Sequence, residues 1–161
     1  EIGKSVKSSA IKEAISLIKR QYDYIFIDVN PTPTKIHVLT MAASDYLIIP
    51  MLPDVATLEA NKGIIETYSL VKNSGVNSSL KVLGIVFNKY NARTNLSQQV
   101  TEVTEQMAKQ LDTSVFSAKI RNNIALSENV GSHIGITEYD PKSNGATDII
   151  LLASEILAKG V

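Results

Sequence analysis

Tyr22-Asp23-Tyr24-Ile25-Phe26-Ile27-Asp28 is the stretch of sequence that decides the fold class. It is an apolar run of aromatic and β-branched residues, and it stops at a carboxylate, Asp28. Turn formers, including Pro31 and Pro33, follow it and cannot extend a central strand. The pattern predicts a buried strand over 23–28 with Asp28 at its carboxyl end, where open α/β sheets bind their ligands.

Asp28 has two interpretations on this evidence. In nucleoside triphosphatases an aspartate at this position, the Walker B residue, orients Mg²⁺ and its water shell beside the phosphates. An aspartate that merely caps the strand or the following turn is the alternative. The segment by itself leaves both open.

The composition sets the broad class of the protein. The chain has 161 residues, of which 44% are apolar, and its 16 basic residues balance 16 acidic ones. These values predict one globular domain over 1–161 and argue against a polybasic nucleic-acid coat. The absence of Cys excludes disulfides and Cys-based metal sites. No apolar run is long enough for a membrane span, so we expect a cytoplasmic protein. The chain begins at Glu1 rather than Met, and we expect it to be part of a longer protein.

The rest of the chain continues an alternation of strands and helices. Strands are predicted at 23–28, 46–50, 81–87 and 114–116, and helices at 4–20, 35–43, 57–72, 95–110 and 144–159. Thr57 is the expected cap of the third helix, and 118–142 is predicted to be irregular. This alternation predicts an α/β fold with a mostly parallel sheet covered by helices on both faces.

Polar residues follow several of these strands and are expected at one edge of the sheet. The amide of Asn88 offers a donor and an acceptor, which suits the edge of adenine, although a turn asparagine is the alternative. Arg93 and Arg121 could hold phosphate oxygens of a nucleotide or of DNA, although a solvated loop arginine is common. The lysines that could enlarge such a patch are Lys89, Lys119 and Lys142. The two histidines have no partner at metal-ligand spacing and are expected to be structural or at the surface.

Six segments in order carry a family resemblance: YDYIFID (22–28), AASDYLIIPMLPD (42–54), TLEANKGIIETYSLVK (57–72), LKVLGIVFNKYNARTNLSQQV (80–100), IRNNIALSENV (120–130) and EYDPKSNGA (138–146). The chain resembles the C-terminal two-thirds of a ParA-type partition ATPase, in the MinD/ParA group of P-loop proteins with a deviant Walker A motif. The resemblance implies a P-loop NTPase-like fold, ATP and Mg²⁺ as cofactors, and segregation of plasmid or chromosome DNA. It also implies an ATP-dependent homodimer, binding to non-specific DNA on the nucleoid, and a ParB-type centromere-binding partner, without a membrane.

The resemblance also assigns roles to individual residues. Asp28 resembles the Walker B residue that supports Mg²⁺ through water, and Asn88 resembles the asparagine that reads adenine. Ile120, Arg121 and Asn122 resemble the family's Pro-Arg-Asn loop, which lies near the base and the dimer interface. Arg93 and Arg121 resemble arginines implicated in DNA binding.

Three departures from the family pattern are visible. Val29-Asn30-Pro31 stands where the family usually has two prolines, and Ile120 replaces the usual Pro of the Pro-Arg-Asn loop. No G-x-x-x-x-G-K-[ST] loop occurs in the 161 residues, so the backbone N–H groups with which such a loop binds the phosphates are missing. Without the strand that precedes that loop, the sheet is expected to have a vacant central position beside 23–28.

Two explanations of the missing loop compete. The sequence is either part of a normal ATPase or a degenerate relative that binds DNA or a partner without hydrolysing ATP. On both, these 161 residues alone are expected not to hydrolyse ATP. A third interpretation, an unrelated α/β domain that binds a small molecule, is disfavoured by the ordered motifs.

Overall fold

The computed structural model describes residues 10–30 and 34–161. In those ranges the elements are α1 (Ala10–Ile18), α2 (Lys35–Ala43), β1 (Tyr46–Met51), α3 (Val55–Asn73), β2 (Lys81–Phe87), α4 (Asn95–Gln110), α5 (Ile124–Asn129), α6 (Ile136–Tyr139) and α7 (Asn144–Ala158). The predicted α/β class is confirmed. The part of the first predicted helix over 4–9 lies outside the described residues. None of the described helices is both long and apolar enough to cross a membrane.

The two strands are hydrogen-bonded neighbours and run parallel. Lys81 N donates to Asp45 O at 3.2 Å, and Asn88 N donates to Met51 O at 2.8 Å, so both strands advance in the same direction. Every residue from Val82 to Phe87 is buried. Burial of both faces is typical of a central strand in a parallel sheet, where alternation of apolar and polar residues is lost.

The predicted fourth strand is reduced to a single bridge at the expected place. Val115 forms a parallel bridge with Ile85 of β2. Ile85 N donates to Ser114 O at 3.1 Å, and Phe116 N donates to Ile85 O at 2.8 Å. The bridge still aligns residues 114–116 with β2, so the loops that follow both segments leave in the same direction.

The predicted strand over 23–28 is wrong, because this segment has no regular secondary structure. Tyr22 is 60% exposed and Phe26 is 79% exposed, so the apolar run is not buried either. The sheet of the described residues has only β1 and β2, and neither of them has this segment as its ladder neighbour. A strand needs a neighbour to complete its hydrogen bonds, and side-chain propensity alone does not supply one.

Two further predictions about helices need correction. The helix α3 begins at Val55, and its cap is Asp54 rather than Thr57, because Thr57 N donates to Asp54 Oδ1 at 2.7 Å. The segment 118–142 is not wholly irregular, since it contains α5 and α6. Asn123 starts α5 by accepting a hydrogen bond from Ala125 N at 2.8 Å. Both helices are too short to show a clear apolar period in sequence.

The contacts of the chain cluster into two compact units. Among the described residues, unit 1 comprises those up to residue 47 and 60–81, and unit 2 comprises 48–59 and 82–161. In unit 1, Asn77 Nδ2 donates to Met41 O at 2.9 Å and to Ser44 O at 2.8 Å. These bonds satisfy carbonyl groups at the carboxyl end of α2. The single-domain organisation expected from the sequence stays a prediction.

Unit 2 has its own hydrophobic core, which holds the loops described below. Leu83, Val86, Phe116 and Ile120 form a buried cluster. Partly buried residues of α5 and α7, namely Leu126, Ile149, Leu152 and Ile156, pack against it. The cluster therefore joins β2 to the segment 116–120 and to the helices that follow.

Candidate functional site

A cavity of about 510 Å³ lies in unit 2. This volume is within the range of about 300–1,000 Å³ that is usual for small-ligand sites. Its lining residues are Pro50, Val86, Asn88, Lys89, Ile120, Arg121, Asn122, Asn123, Leu126, Ser127, Val130, Ile149 and Leu152. The four residues that the sequence proposes for the cofactor, Asn88, Ile120, Arg121 and Asn122, are all among them. The structure therefore brings that set together in one cavity.

Backbone hydrogen bonds explain why these residues meet. Ile120 N donates to Phe87 O at 2.8 Å, and Tyr90 N donates to Ile120 O at 2.9 Å. Tyr90 and Arg121 also form a parallel bridge. The loop after β2 and the loop after the bridge strand are thus joined side by side at the carboxyl edge, where α/β sheets place their ligands.

The departure at Ile120 has a structural consequence. The N–H of Ile120 is used in the bond to Phe87 O, and a proline at this position has no N–H to donate. The Ile120 side chain is 6% exposed and belongs to the apolar cluster below the cavity. The isoleucine therefore both fixes the loop and forms part of the cavity wall.

Asn88 retains hydrogen-bonding capacity towards a ligand. Its side chain is exposed, and Oδ1 accepts a hydrogen bond from Lys89 N at 2.9 Å. An amide oxygen has two lone pairs, so one acceptor position remains. Lys89 has a φ of +52°, a left-handed conformation that is uncommon for a residue with a side chain. This turn keeps Asn88 at the cavity, with its amide group available to the edge of a planar ligand.

Arg121 is engaged with a carboxylate of α7. Its Nε donates to both oxygens of Asp148, at 2.9 and 3.1 Å, and its Nη2 donates to Oδ1 at 2.7 Å. The backbone N of Arg121 donates to Oδ2 at 3.0 Å. Burial of Asp148 acts to raise its pKa, but the hydrogen bonds and the charge of Arg121 outweigh this and lower the pKa. The hydrogen bond to Asp148 in turn raises the pKa of the Arg121 guanidinium.

Arg93 is placed differently from Arg121. It is exposed, it precedes α4, and it is not among the cavity-lining residues. Thr94 caps α4 by accepting a hydrogen bond from Ser97 N at 3.3 Å, and the first turn of the helix carries no acidic residue. Arg93 therefore lies beside the positive end of a helix, an arrangement that favours anions such as phosphate.

The three lysines of the proposed patch also differ. Lys119 lies over the ring of Tyr90, with its Nζ 4.3 Å from the ring centroid. Lys89 lines the cavity, and Lys142 is exposed. Lys119 thus has an aromatic partner, whereas Lys89 and Lys142 are both exposed.

Asp28 is exposed and lies in unit 1, in the segment that forms no strand. Within residues 10–30 and 34–161, no group of three His, Cys, Asp or Glu side chains could hold a metal ion. The described residues therefore contain no such metal-binding group around Asp28 or elsewhere. His37 is 2% exposed and accepts a hydrogen bond from Thr34 N at 3.1 Å, which confirms its structural role.

Several lining residues were missed from the sequence. Asn123, Leu126, Ser127 and Val130 come from α5 and its ends, and Ile149 and Leu152 come from α7. The sequence signal that could have indicated α5 is Asn123, a typical helix-capping residue directly before the apolar Ile124. The lining thus combines apolar side chains with polar ones at Asn88 and 121–123, the mixture that is usual for small-ligand sites.

Comparison with known proteins gives the family. The AAA domain model matches residues 2–82. The chain is 33% identical over 150 residues to the sporulation initiation inhibitor protein Soj of Bacillus subtilis, covering 93% of this chain and 58% of that protein. It is 32% identical over 149 residues to the chromosome-partitioning ATPase Soj of Treponema pallidum, covering 92% of this chain and 57% of that protein. The chain thus spans less than two-thirds of the length of these curated relatives.

Solved structures support the fold. The cell division ATPase MinD of Pyrococcus furiosus matches with a TM-score of 0.70 at 21% identity, covering 94% of this chain and 59% of that chain. Apo McdA from Cyanthece matches with a TM-score of 0.78 at 18% identity, covering 96% of this chain and 59% of that chain. At these identities the likeness shows the fold, which is that of the P-loop NTPases. The family model and the Soj relatives show that the chain belongs to the AAA domain family and, within it, to the ParA-type partition ATPases.

Proposed function

We propose that this chain carries the base-binding edge and a DNA-binding surface of an ATP-dependent switch that segregates plasmid or chromosome DNA. The observation that carries the proposal is the convergence of Asn88, Ile120, Arg121 and Asn122 on one cavity. These are the residues that the resemblance assigns to the adenine side of the nucleotide. The fold adds that Asn88, from the loop after β2, lines the same cavity as the consecutive residues 120–122.

The adenine of ATP fits the residues that are present. Val86, Leu126 and Ile149 supply apolar surface for the faces of a base. Asn88 can pair with its edge through one donor and one acceptor. When bound, ATP with Mg²⁺ would supply the γ-phosphoryl group whose cleavage resets the switch, and Asp28 is the residue proposed to support Mg²⁺ through water.

We propose that Arg93 contributes more to DNA binding than Arg121 does. Arg93 is exposed beside the amino end of α4, so a backbone phosphate can meet both the guanidinium and the helix end. Arg121 shares its charge with Asp148, which leaves less net attraction for an outside phosphate. Contacts to phosphates without base contacts give binding that is salt-dependent and indifferent to sequence.

The partners follow from the family and belong to this proposal. They are a ParB-type centromere-binding protein that stimulates turnover, non-specific DNA of the nucleoid, and a second ATP-bound copy of the protein. A second candidate function is a ParA-like module that binds DNA or a partner without hydrolysis. It is favoured by Asp28, which lies in an exposed segment rather than at the end of a paired strand.

Adenosine binding tests the cavity. Adenosine is titrated into the ¹⁵N-labelled chain and into Asn88→Ala, with Asn73→Ala, an exposed asparagine of unit 1, as the matched control. We expect shifts in the signals of 88–90 and 120–123, and an affinity loss of about tenfold for Asn88→Ala. Shifts elsewhere, or equal affinity for wild type and Asn88→Ala, would contradict the assignment of the base to this cavity.

Gel shifts with unrelated duplexes of equal length test the DNA surface. Arg93→Ala is expected to weaken binding to every duplex and to reduce the salt dependence by about one counterion. Arg121→Ala is expected to have a smaller effect, and Arg20→Ala, an exposed arginine of unit 1, is the control. Binding that survives the replacement of both Arg93 and Arg121 at low salt would exclude this surface.

A further inference from the structure

The helix α7 carries two carboxylates on one face. Asp148 and Glu155 are seven residues apart, which is close to two helical turns, so their side chains project in similar directions. They are the only acidic residues of α7. Both of them contact the segment 117–121, which leads into the cavity wall.

The two carboxylates hold opposite ends of this segment. Glu155 Oε1 accepts a hydrogen bond from Ser117 N at 2.9 Å, and its Oε2 accepts one from Ala118 N at 3.0 Å. Asp148 accepts the backbone N–H of Arg121 and the guanidinium described above. Each carboxylate thus takes the place of a neighbouring strand or a bound anion in satisfying backbone donors.

The same helix also forms part of the cavity itself. Ile149 and Leu152, which lie between the two acids in sequence, line the cavity. Near the carboxyl end of α7, Lys159 Nζ donates to Ser114 Oγ at 3.2 Å, one more contact with the chain that precedes the loop. The helix α7 therefore both lines the cavity and holds the segment 117–121.

We propose that Asp148 and Glu155 are positioning residues that set the loop 117–121 before a ligand arrives. This inference rests on the proposed function, because its benefit is a preformed site for the base. The loop presents Ile120 and Arg121 to the cavity, and ordering it only on binding would cost affinity. Arg121 then serves chiefly as the internal counter-ion through which Asp148 holds the loop.

Amide hydrogen exchange without ligand is the first test. The readouts are the N–H groups of Tyr90 and Ile120, which donate to backbone oxygens and not to the carboxylates. In Asp148→Asn/Glu155→Gln their exchange is expected to rise about tenfold relative to the amides of α4, because the loop opens more often. The matched control, Glu102→Gln/Glu105→Gln, removes two exposed acids from α4. Asp148→Glu keeps the carboxylate and is expected to preserve much of the protection.

The exchange experiment decides the proposal even if the double variant is less stable. A uniform rise in exchange at Tyr90, Ile120 and α4 reports global destabilisation and overturns the positioning role. Exchange that is unchanged at Tyr90 and Ile120 also overturns it. Only a rise confined to the loop and its neighbours supports it.

Adenosine affinity is the second test and separates the two proposals. If wild type binds adenosine and the double variant binds about tenfold more weakly, the positioning role is supported. If both bind equally, the positioning role fails and the proposed function stands. If wild type does not bind adenosine, the proposed function fails, and the exchange result alone decides whether α7 sets the loop.

Discussion

Gly84 in β2 lies directly against the ring of Phe116. A β-carbon at Gly84 would overlap Phe116 Cε2, closer than real β-carbon contacts come. Phe116 is 1% exposed and is part of the cluster beneath the cavity, so its ring has little room to move. The strand and the bridge segment can approach this closely only because residue 84 has no side chain.

Gly84→Ala is therefore expected to destabilise the protein by overpacking. The expected loss in the free energy of unfolding is about 1–3 kcal/mol. Gly131→Ala is the control, since a β-carbon there would meet nothing within 4 Å. Urea denaturation of the two variants and the wild type measures the effect. Equal midpoints for all three would show that the ring of Phe116 moves aside.

Ile120→Pro is expected to be destabilising, although proline is the residue that the family usually has in this loop. Proline cannot donate to Phe87 O and leaves that oxygen without its partner, at an expected cost of about 1–3 kcal/mol. Ile120→Val keeps the N–H and is the control. The same denaturation experiment applies. A proline variant as stable as Ile120→Val would mean that the loop finds another arrangement.

Asp148 predicts a pH dependence of stability. Its pKa in the folded protein lies below the ordinary value of 3.8, so its carboxylate stabilises the fold above that value. This stabilisation of the folded state is lost as the pH falls through the lowered pKa, because Asp148 is then protonated in both the folded and the unfolded protein.

Asp148→Asn is thus expected to be less stable than wild type by a constant amount from about pH 7 to pH 5, with the difference narrowing below about pH 4. Urea midpoints across this range measure it. Glu105→Gln, on an exposed face of α4, serves as the control. A difference that stayed constant down to pH 2 would show that the ionisation of Asp148 does not contribute.

ATP hydrolysis by these 161 residues is expected to be absent. The sequence has no G-x-x-x-x-G-K-[ST] loop, the motif that in P-loop proteins supplies the backbone cradle, lysine and hydroxyl for the β- and γ-phosphates and Mg²⁺. Mg²⁺-dependent phosphate release by the purified chain is compared with that of Asp28→Ala. Turnover in the wild type that Asp28→Ala abolishes would refute this expectation.

Much of the fold and of the cavity could be predicted from the sequence. The alternation of apolar strands with helices determined the α/β class, since burial of both faces leaves a readable pattern in β2. Asn88 directly follows β2, and 120–122 follow the bridge segment 114–116 by a few residues. Their meeting could be predicted, because parallel segments end at a common edge.

The tertiary structure alone decided the rest. The run 22–28 has the composition of a strand, yet it forms none, because a ladder also needs a neighbouring strand. Arg121 has the chemistry of a phosphate ligand, yet its guanidinium meets Asp148, which is 27 residues away in sequence. Composition and spacing determine what a residue can bind, whereas the long-range packing of α7 against the loop determines what Arg121 does bind.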